Sequence, residues 1–232
     1  MPDGPSPGVV LVTGGASGLG AAVVDAVVGA GGTALVLDLH PPQRDGLDHE
    51  LVDLGEGRSA EAAVERLVRR AGRLDAVVTA AGTDCCGRLG DVDAEAWERV
   101  VAVNLLGTVA VVRAALPWLE AGGGKVVTVA STLGLRALSD ATAYCASKFG
   151  LVGFTRALAR ELSGRVGVTM LVPGGMRTAF FDGRDPQYRP GPDAELNRPE
   201  HVAAAVLFAL AQPPGCEVRE LIVTPSREDS WP

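Results

Sequence analysis

The chain has 232 residues, of which 47% are hydrophobic and 21% are charged, and its formal net charge is −7. This length and composition predict one α/β domain over residues 1–232 that needs neither a disulfide nor a metal to form its core. Because an acidic surface repels phosphate backbones, we expect no nucleic-acid partner. Charges, glycines and prolines interrupt every long apolar stretch, and the first residues lack a signal-peptide pattern, so we expect no membrane segment and a cytoplasmic location.

The four cysteines are Cys85, Cys86, Cys145 and Cys216. None of them forms a C-x-x-C pair, and no histidine cluster stands near them, so we expect no metal site. We interpret them as small buried thiols without a chemical role.

The N-terminal part predicts a nucleotide-binding unit. Residues 1–7 are polar and proline-rich and predict a flexible tail. The apolar run 9–12 is typical of a strand buried on both faces. A glycine-rich turn, a helix over 21–29 and a second apolar strand over 34–37 follow it, and that strand leads to Asp38.

The same alternation continues to the end of the chain. It predicts helices over 60–70, 94–119, 143–163 and 201–211, and strands over 76–79, 125–130, 168–172 and 220–224. Strands that alternate with helices of this length indicate a Rossmann-like, doubly wound parallel sheet of about seven strands with helices on both faces. The stretch 179–198 is rich in Pro, Gly and Asp and predicts one long loop.

The glycine-rich turn Thr13-Gly14-Gly15-Ala16-Ser17-Gly18-Leu19-Gly20 has the context of a dinucleotide site, between a strand and a helix. Gly14 permits the tight turn, Gly18 lets the backbone approach a pyrophosphate, and Gly20 lets the helix pack close to the strand. The N–H groups and positive end of the helix then face the phosphates.

Asp38 lies eighteen residues past Gly20, at the end of the second strand. A carboxylate there accepts hydrogen bonds from the ribose hydroxyls of NAD and repels the 2′-phosphate of NADP. The turn contains no Lys or Arg, so we expect NAD as the cofactor. Arg44 is near enough in sequence to leave NADP open.

Ser131, Tyr144 and Lys148 form the candidate catalytic set. Tyr144 and Lys148 are four residues apart, so they share one face of a helix. A free tyrosine has a pKa of about 10, which a neighbouring ammonium and an oxidised nicotinamide would lower. Tyr144 could then exchange a proton with an alcohol or ketone while Ser131 hydrogen-bonds the substrate oxygen.

These residues resemble those of the short-chain dehydrogenase/reductase family, in its compact single-domain form. The resemblance runs from about Val9 to Thr178. Its four motifs are T-G-G-A-S-G-L-G at 13–20, T-A-A-G at 79–82, S-x12-Y-x-x-x-K at 131–148 and P-G-G-M-R-T at 173–178. In the second motif, Thr79 and Ala80 replace the two asparagines that are usual in the family.

The resemblance implies further roles. It makes Asn104 the fourth catalytic residue, which bends its helix and holds a water behind Lys148. Asp53 would contact adenine, and Met176 and Thr178 the carboxamide. The full predicted cofactor-binding set is Gly14, Ser17, Gly18, Leu19, Gly20, Asp38, Asp53, Leu54, Ala80, Ala81, Gly82, Tyr144, Lys148, Pro173, Gly174, Met176 and Thr178.

The resemblance also implies a homodimer or homotetramer, because the helices 94–119 and 143–163 are similar to the pair that self-associates in the family. The C-terminus differs from the usual strand followed by D-G-G, which makes the tetramer the less secure of the two. In the loop 179–198, which should cover the substrate, apolar side chains dominate and favour a moderately hydrophobic alcohol or ketone. The residues expected to face the substrate are Phe180, Phe181, Asp182, Tyr188 and Arg189 of this loop, with Leu135 and Leu138 on the opposing loop.

The predicted function is NAD(H)-dependent hydride transfer between nicotinamide and a secondary alcohol or ketone. Three alternatives stay open: an NADPH-dependent 3-oxoacyl-thioester reductase, a cofactor-sensing protein without catalysis, and a sugar-nucleotide dehydratase or epimerase. A comparison of the rates with NADH and NADPH distinguishes the thioester reductase from the predicted function. A sensor needs no proton relay, and sugar-nucleotide enzymes usually carry a longer C-terminal part.

Overall fold

The structure is a computed structural model that describes residues 6–228, 230 and 231. Residues 1–5 of the predicted tail lie outside the described residues. The next residue, Ser6, donates a hydrogen bond from Oγ to the carbonyl oxygen of Gly31, 2.9 Å away. The described end of the tail therefore lies against the turn before the second strand.

Seven parallel strands form one sheet, as the sequence predicts. In chain order they are β1 (Val9–Thr13), β2 (Thr33–Asp38), β3 (Asp48–Leu51), β4 (Ala76–Thr79), β5 (Lys125–Val129), β6 (Gly167–Pro173) and β7 (Glu220–Val223). Their order across the sheet is β3-β2-β1-β4-β5-β6-β7. Strands β1 to β3 are added towards one edge of the sheet and β4 to β7 towards the other. Such sheets open a crevice for a ligand at the point of reversal, which here lies between β1 and β4.

Two helical layers cover the sheet. The helices are α1 (Gly18–Gly29), α2 (Gly57–Ala71), α3 (Ala94–Val101), α4 (Thr108–Gly122), α5 (Thr142–Glu161) and α6 (Pro199–Leu210). Alternate residues of β1 face opposite layers: Val10 and Val12 pack with α1 and α6, and Leu11 packs with α2 and α4. This double burial explains why the strands are continuous apolar runs.

Strand β3 was not located by the sequence analysis. Its residues Asp48, His49, Glu50 and Leu51 are polar except the last, and they alternate between half-buried and exposed positions. Glu50 pairs with Arg66 and Arg70 on α2. An edge strand held by hydrogen bonds to β2 and by surface ion pairs shows no apolar pattern, so the sequence offers no signal for it.

The predicted helix over 94–119 is interrupted. A π-helical turn, Ala102–Gly107, separates α3 from α4. The Thr108 hydroxyl donates to the carbonyl oxygen of Asn104, four residues earlier. A side chain on Gly107 would approach the carbonyl oxygen of Leu54 to 2.6 Å, so this residue lets the helix pass close to the loop after β3.

The helical run 94–122 is also long and apolar enough to span a membrane by length and composition, in contrast to the expectation from its interruptions. Half of its most apolar window is buried within this protein. Its second half packs against α2 and β4, and its first half packs against α5. These are the contacts of a core helix.

Candidate active site

A cleft of about 830 Å³ lies at the carboxyl ends of β1, β4, β5 and β6. All the predicted cofactor-binding residues line it. Ser131, Tyr144 and Lys148 line it too, whereas Asn104 does not. The structure thus brings one predicted nucleotide set and three predicted catalytic side chains into one space.

The glycine-rich turn fits the pyrophosphate of a dinucleotide. A side chain on Gly20 would lie 2.0 Å from the carbonyl oxygen of Gly14, and one on Gly14 would lie 2.8 Å from Cα of Ala81. Gly14 also needs its positive φ of 71°. Ser17 stands at the start of α1 but makes no capping hydrogen bond with its side chain. The first N–H groups of α1 are therefore available to an anionic group at this end of the cleft.

Asp38 is fixed at the end of β2 by backbone donors. Its Oδ2 accepts a hydrogen bond from the N–H of Ala16 at 2.9 Å, and its Oδ1 accepts one from the N–H of His40 at 3.0 Å. Arg44, which left NADP open, pairs instead with Asp25 on α1 at 3.2 Å. The carboxylate therefore lies against the glycine-rich turn without Arg44 as its partner.

Asp53 has partners on both of its oxygens. Arg99 lies 2.7 Å from Oδ2, and the N–H of Gly55 donates to Oδ1 at 2.7 Å. The hydrogen bond from Arg99 lowers the pKa of the Asp53 carboxyl below its usual range. Arg99 also lines the cleft, and the sequence analysis missed it because nothing in the spacing links positions 53 and 99.

Tyr144 and Lys148 lie one turn apart on α5, next to Ser131 at the end of β5. The Lys148 Nζ is 5.6 Å from the centroid of the Tyr144 ring and donates a hydrogen bond to the carbonyl oxygen of Val129 at 2.8 Å. Only 4% of Lys148 is exposed. The set has the mutual geometry that the four-residue spacing predicts.

Burial shifts the pKa values of Tyr144 and Lys148 in opposite directions. Burial raises the pKa of Tyr144 to about 12, although the Ser131 hydroxyl acts to lower it. Burial also lowers the pKa of Lys148 to about 8, against the attraction of Asp84. The expectation for Tyr144 also includes the positive charge of oxidised nicotinamide, so a lowered pKa of the phenol in the cofactor-bound enzyme stays a prediction.

Asn104 is fully buried behind this set. Its side-chain oxygen accepts from the N–H of Thr83 at 2.8 Å, and its amide nitrogen donates to the Thr83 carbonyl oxygen and to Ser147 Oγ. The π-helical turn agrees with a residue that distorts its helix. Through its side chain, Asn104 joins the helix to the loop after β4 and to α5.

Only some of the residues predicted to contact the substrate line the cleft. Leu138, Phe180 and Phe181 line the cleft, whereas the predicted Leu135, Asp182, Tyr188 and Arg189 do not. The segment 179–198 holds two 3₁₀ turns, Ala179–Phe181 and Pro186–Tyr188. Arg184, which the sequence analysis passed over, lines the cleft between these turns.

The C-terminal segment also reaches the cleft. Glu228 Oε2 accepts a hydrogen bond from the N–H of Gly175 at 2.8 Å, and Ser230 Oγ lies 2.7 Å from the hydroxyl oxygen of Thr132. Arg227, Glu228 and Ser230 all line the cleft. The chain thus uses the segment that departs from D-G-G to complete the wall beside Gly174.

The four cysteines occupy different environments. Only Cys145 is buried; Cys85 and Cys86 are half-buried, and Cys216 is exposed, so the expectation of buried thiols holds for Cys145 alone. Over residues 6–228, 230 and 231, no three His, Cys, Asp or Glu side chains are grouped so as to hold a metal ion.

The chain is similar to dehydrogenases and to a reductase over most of its length. A sequence model of the short chain dehydrogenase family matches residues 8–189. The D-threitol dehydrogenase of Mycolicibacterium smegmatis is 33% identical over 86% of this chain and 84% of its own. The L-fucose dehydrogenase of Mus musculus is 31% identical over 95% and 88%, and the 3-oxoacyl-[acyl-carrier-protein] reductase of Thermotoga maritima is 29% identical over 86% and 89%.

Solved structures show the same fold. The ligand-free aldohexose dehydrogenase of Thermoplasma acidophilum superposes with a TM-score of 0.83 at 24% identity, covering 94% of this chain and 92% of that one. The alcohol dehydrogenase of Thermococcus sibiricus, solved with 5-hydroxy-NADP, gives 0.81 at 24% identity, covering 93% and 95%. With the family model spanning most of the chain, these matches identify the protein: it belongs to the short-chain dehydrogenase family and is an NAD(P)-dependent oxidoreductase.

Proposed function

We propose that this protein uses NAD(H) to interconvert a secondary alcohol and a ketone, with Tyr144 as the proton-transfer group. The observation that carries the proposal is the meeting of Ser131, Tyr144 and Lys148 in the cleft that the glycine-rich turn also lines. Nicotinamide, when bound there, supplies the acceptor or donor of the hydride. The remaining chemistry falls to the side chains.

Tyr144 takes the hydroxyl proton of the alcohol, or returns it to the ketone. The Ser131 hydroxyl hydrogen-bonds the substrate oxygen and stabilises the charge that develops on it. Because burial alone raises the pKa of Tyr144 to about 12, a positive charge is needed to favour the phenolate. Lys148, with a pKa of about 8, carries that charge at neutral pH.

Asn104 acts as a positioning residue in this proposal. It holds the backbone of Thr83 on one side and Ser147 on the other, and Ser147 is the residue before Lys148. A Cβ atom on Gly82 would lie 3.5 Å from Asn104 Oδ1 and 3.9 Å from Lys148 Nζ, so the Asn104 and Lys148 side chains both lie next to Gly82. Asn104 thereby fixes the loop after β4 against the catalytic helix.

The preference for NAD rests on Asp38. Its carboxylate is held against the turn by the N–H of Ala16, and Arg44 is engaged by Asp25. A fixed negative charge at this position accepts hydrogen bonds from ribose hydroxyls and repels a 2′-phosphate.

A second candidate is an NADPH-dependent reductase of 3-oxoacyl thioesters, which the similarity to the Thermotoga maritima enzyme supports. The two candidates differ in both cofactor and substrate. Asp38 favours the NAD-dependent candidate, because its carboxylate repels a 2′-phosphate. The glycine-rich turn agrees with this, since it contains no Lys or Arg to hold a 2′-phosphate.

The experiment is a panel of secondary alcohols with NAD or NADP and of ketones with NADH or NADPH, followed by absorbance at the nicotinamide band. We expect turnover with an alcohol and a kcat/KM at least about tenfold higher with NAD than with NADP. Turnover of acetoacetyl thioesters with NADPH alone would favour the second candidate. Binding of NADH without turnover of any compound would contradict both.

A further inference from the structure

An ion pair is buried in the wall of the cleft on the substrate side. The Arg184 guanidinium lies 2.5 Å from Asp84 Oδ2, and the two side chains are 17% and 5% exposed. Asp84 belongs to the loop after β4, two residues past Gly82, and Arg184 to the segment 179–198. The pair therefore joins two chain segments a hundred residues apart.

The guanidinium is fixed against aromatic rings. Its central carbon lies 5.1 Å from the centroid of Phe180 and 4.6 Å from that of Phe181. The Phe180 ring is in turn 5.8 Å from the Tyr144 ring. One aromatic ring, that of Phe180, thus lies between Arg184 and the proposed catalytic phenol. The guanidinium also covers Phe180 and Phe181, which the sequence analysis expected to contact a hydrophobic substrate.

Each partner of the pair keeps one unused hydrogen-bonding atom. Asp84 Oδ1 and Arg184 Nε are both buried, and neither has a partner in the described part of the chain. The other Arg184 nitrogens donate to Asp84 Oδ2 and to the carbonyl oxygen of Tyr188. A buried polar atom without a partner destabilises a protein, so another group should complete this pair.

The two unused atoms select the chemistry of that group. Asp84 Oδ1 needs a donor and Arg184 Nε provides one, so a single group that satisfies both atoms has to donate and accept. A hydroxyl does both. A carboxylate only accepts and is repelled by Asp84, whereas an ammonium only donates and is repelled by Arg184. Because Asp84 offsets the charge of Arg184, the wall offers a polar contact without net charge.

We propose that Arg184 and Asp84 are specificity-determining residues that bind a second hydroxyl group of a neutral, polyhydroxylated substrate. This inference rests on the proposed function, since it concerns the alcohol whose other hydroxyl is oxidised beside Tyr144. Arg184 lines the cleft, but Arg184 Nε and Asp84 Oδ1 are covered by surrounding side chains. The side chains that cover these two atoms must therefore move aside when the hydroxyl binds.

The test compares alcohols on one four-carbon skeleton: 2-butanol, 2,3-butanediol and threitol. For the wild-type protein we expect kcat/KM to be at least about tenfold higher for the better polyol than for 2-butanol. Arg184→Leu should lower kcat/KM for that polyol at least about tenfold and change the value for 2-butanol by less than about threefold. A general loss of active-site order would lower both together.

Arg189→Leu is the matched control. Arg189 lies on the same segment and donates to the backbone carbonyl oxygens of Arg184 and Asp182, but it does not line the cleft. Its removal disturbs the segment without removing the hydroxyl contact. We expect the ratio between polyol and 2-butanol to stay within about twofold of the wild-type ratio, and a loss equal to that of Arg184→Leu would overturn the inference.

Asp84→Asn provides an independent test should Arg184→Leu fail to fold, which thermal unfolding will reveal. Without the carboxylate charge, the guanidinium attracts anions. We expect the KM for 3-hydroxybutyrate, a four-carbon anionic alcohol, to fall at least about threefold while the kcat/KM for the polyol also falls. An unchanged or higher KM for 3-hydroxybutyrate in Asp84→Asn would overturn the inference.

The two proposals fail in different ways. If the wild-type protein oxidises monohydroxy alcohols as well as polyols, or only monohydroxy alcohols, the role of Arg184 and Asp84 is overturned and the proposed function stands. If it oxidises no alcohol in the wider panel, the proposed function is overturned, and this inference falls with it.

Discussion

The two sides of the cleft are held together by different kinds of contact. On the cofactor side, backbone N–H groups within the unit from β1 to β2 make the structure: the N–H of Gly14 donates to the carbonyl oxygen of Leu37, and that of Ala16 to the Asp38 carboxylate. On the substrate side, side chains from distant segments do so, as in Asp84 with Arg184 and Thr132 with Ser230. The first arrangement is fixed by the fold of a short unit, and the second can vary while the fold stays the same.

Tyr144→Phe should have the largest effect and separates the two sides. The variant keeps the ring that packs on Phe180 but loses the hydroxyl that transfers the proton. We expect kcat to fall by about 10²–10⁴ while the Kd for NADH, measured by fluorescence titration, stays within about threefold. Residual turnover within about tenfold of the wild type would remove Tyr144 from the mechanism.

Lys148→Met should stabilise the protein while it lowers kcat by less than Tyr144→Phe does. The pKa of Lys148 is lowered to about 8 by burial, from the ordinary value of 10.5. Below pH 8 the folded protein carries a buried ammonium at a cost in stability. Between pH 8 and 10.5 the unfolded chain binds more protons than the folded one, so the free energy of unfolding of the wild type rises with pH across this window.

At pH 7 we expect Lys148→Met to raise the free energy of unfolding by about 1–3 kcal/mol, measured with urea, and the gain should shrink by pH 10. Lys125→Met is the control, because burial also lowers the pKa of Lys125 but its Nζ donates to two carbonyl oxygens. That variant should lose stability and keep its activity. A Lys148→Met protein less stable than the wild type at pH 7 would contradict the account.

The same contrast explains how far the sequence alone could predict this site. Every residue of the predicted cofactor-binding set lines the cleft. The glycine-rich turn, Asp38 and the four-residue spacing on α5 are local signals, whereas Asp53, Met176 and Thr178 came from the family resemblance. Arg184 was missed because a segment rich in Pro and Gly has no periodicity that pairs it with Asp84. Strand β3 was missed for a related reason, since an edge strand held by ion pairs needs no apolar alternation. The raised pKa of Tyr144 depends on burial, which spacing does not report.

Asp38→Ala should have a moderate effect, confined to the cofactor side. Removing the carboxylate removes both the acceptor for ribose hydroxyls and the repulsion of a 2′-phosphate. We expect the ratio of kcat/KM for NAD to that for NADP to fall by about tenfold. Asp25→Ala is the control, because it frees Arg44 and leaves Asp38 in place. An equal shift in that variant would assign the cofactor preference to Arg44.

Cys85→Ser and Cys86→Ser should have the smallest effects, although both residues follow Asp84 directly. Burial, with the negative charge of Asp84, raises the pKa of Cys86 to about 12, so its thiol stays protonated and unreactive at neutral pH. The Cys86 thiol donates to Asp84 Oδ2 at 3.3 Å, and a serine hydroxyl can donate in its place. We expect the kcat/KM of both serine variants to stay within about twofold of the wild-type value. We also expect iodoacetamide to inactivate the wild-type protein little. Because Asp84 Oδ2 also accepts from Arg184, Cys86→Ala should change the rate little more than Cys86→Ser. A collapse of activity in folded Cys86→Ala, with Cys86→Ser still active, would show that the Asp84 carboxylate depends on this thiol as well as on the guanidinium.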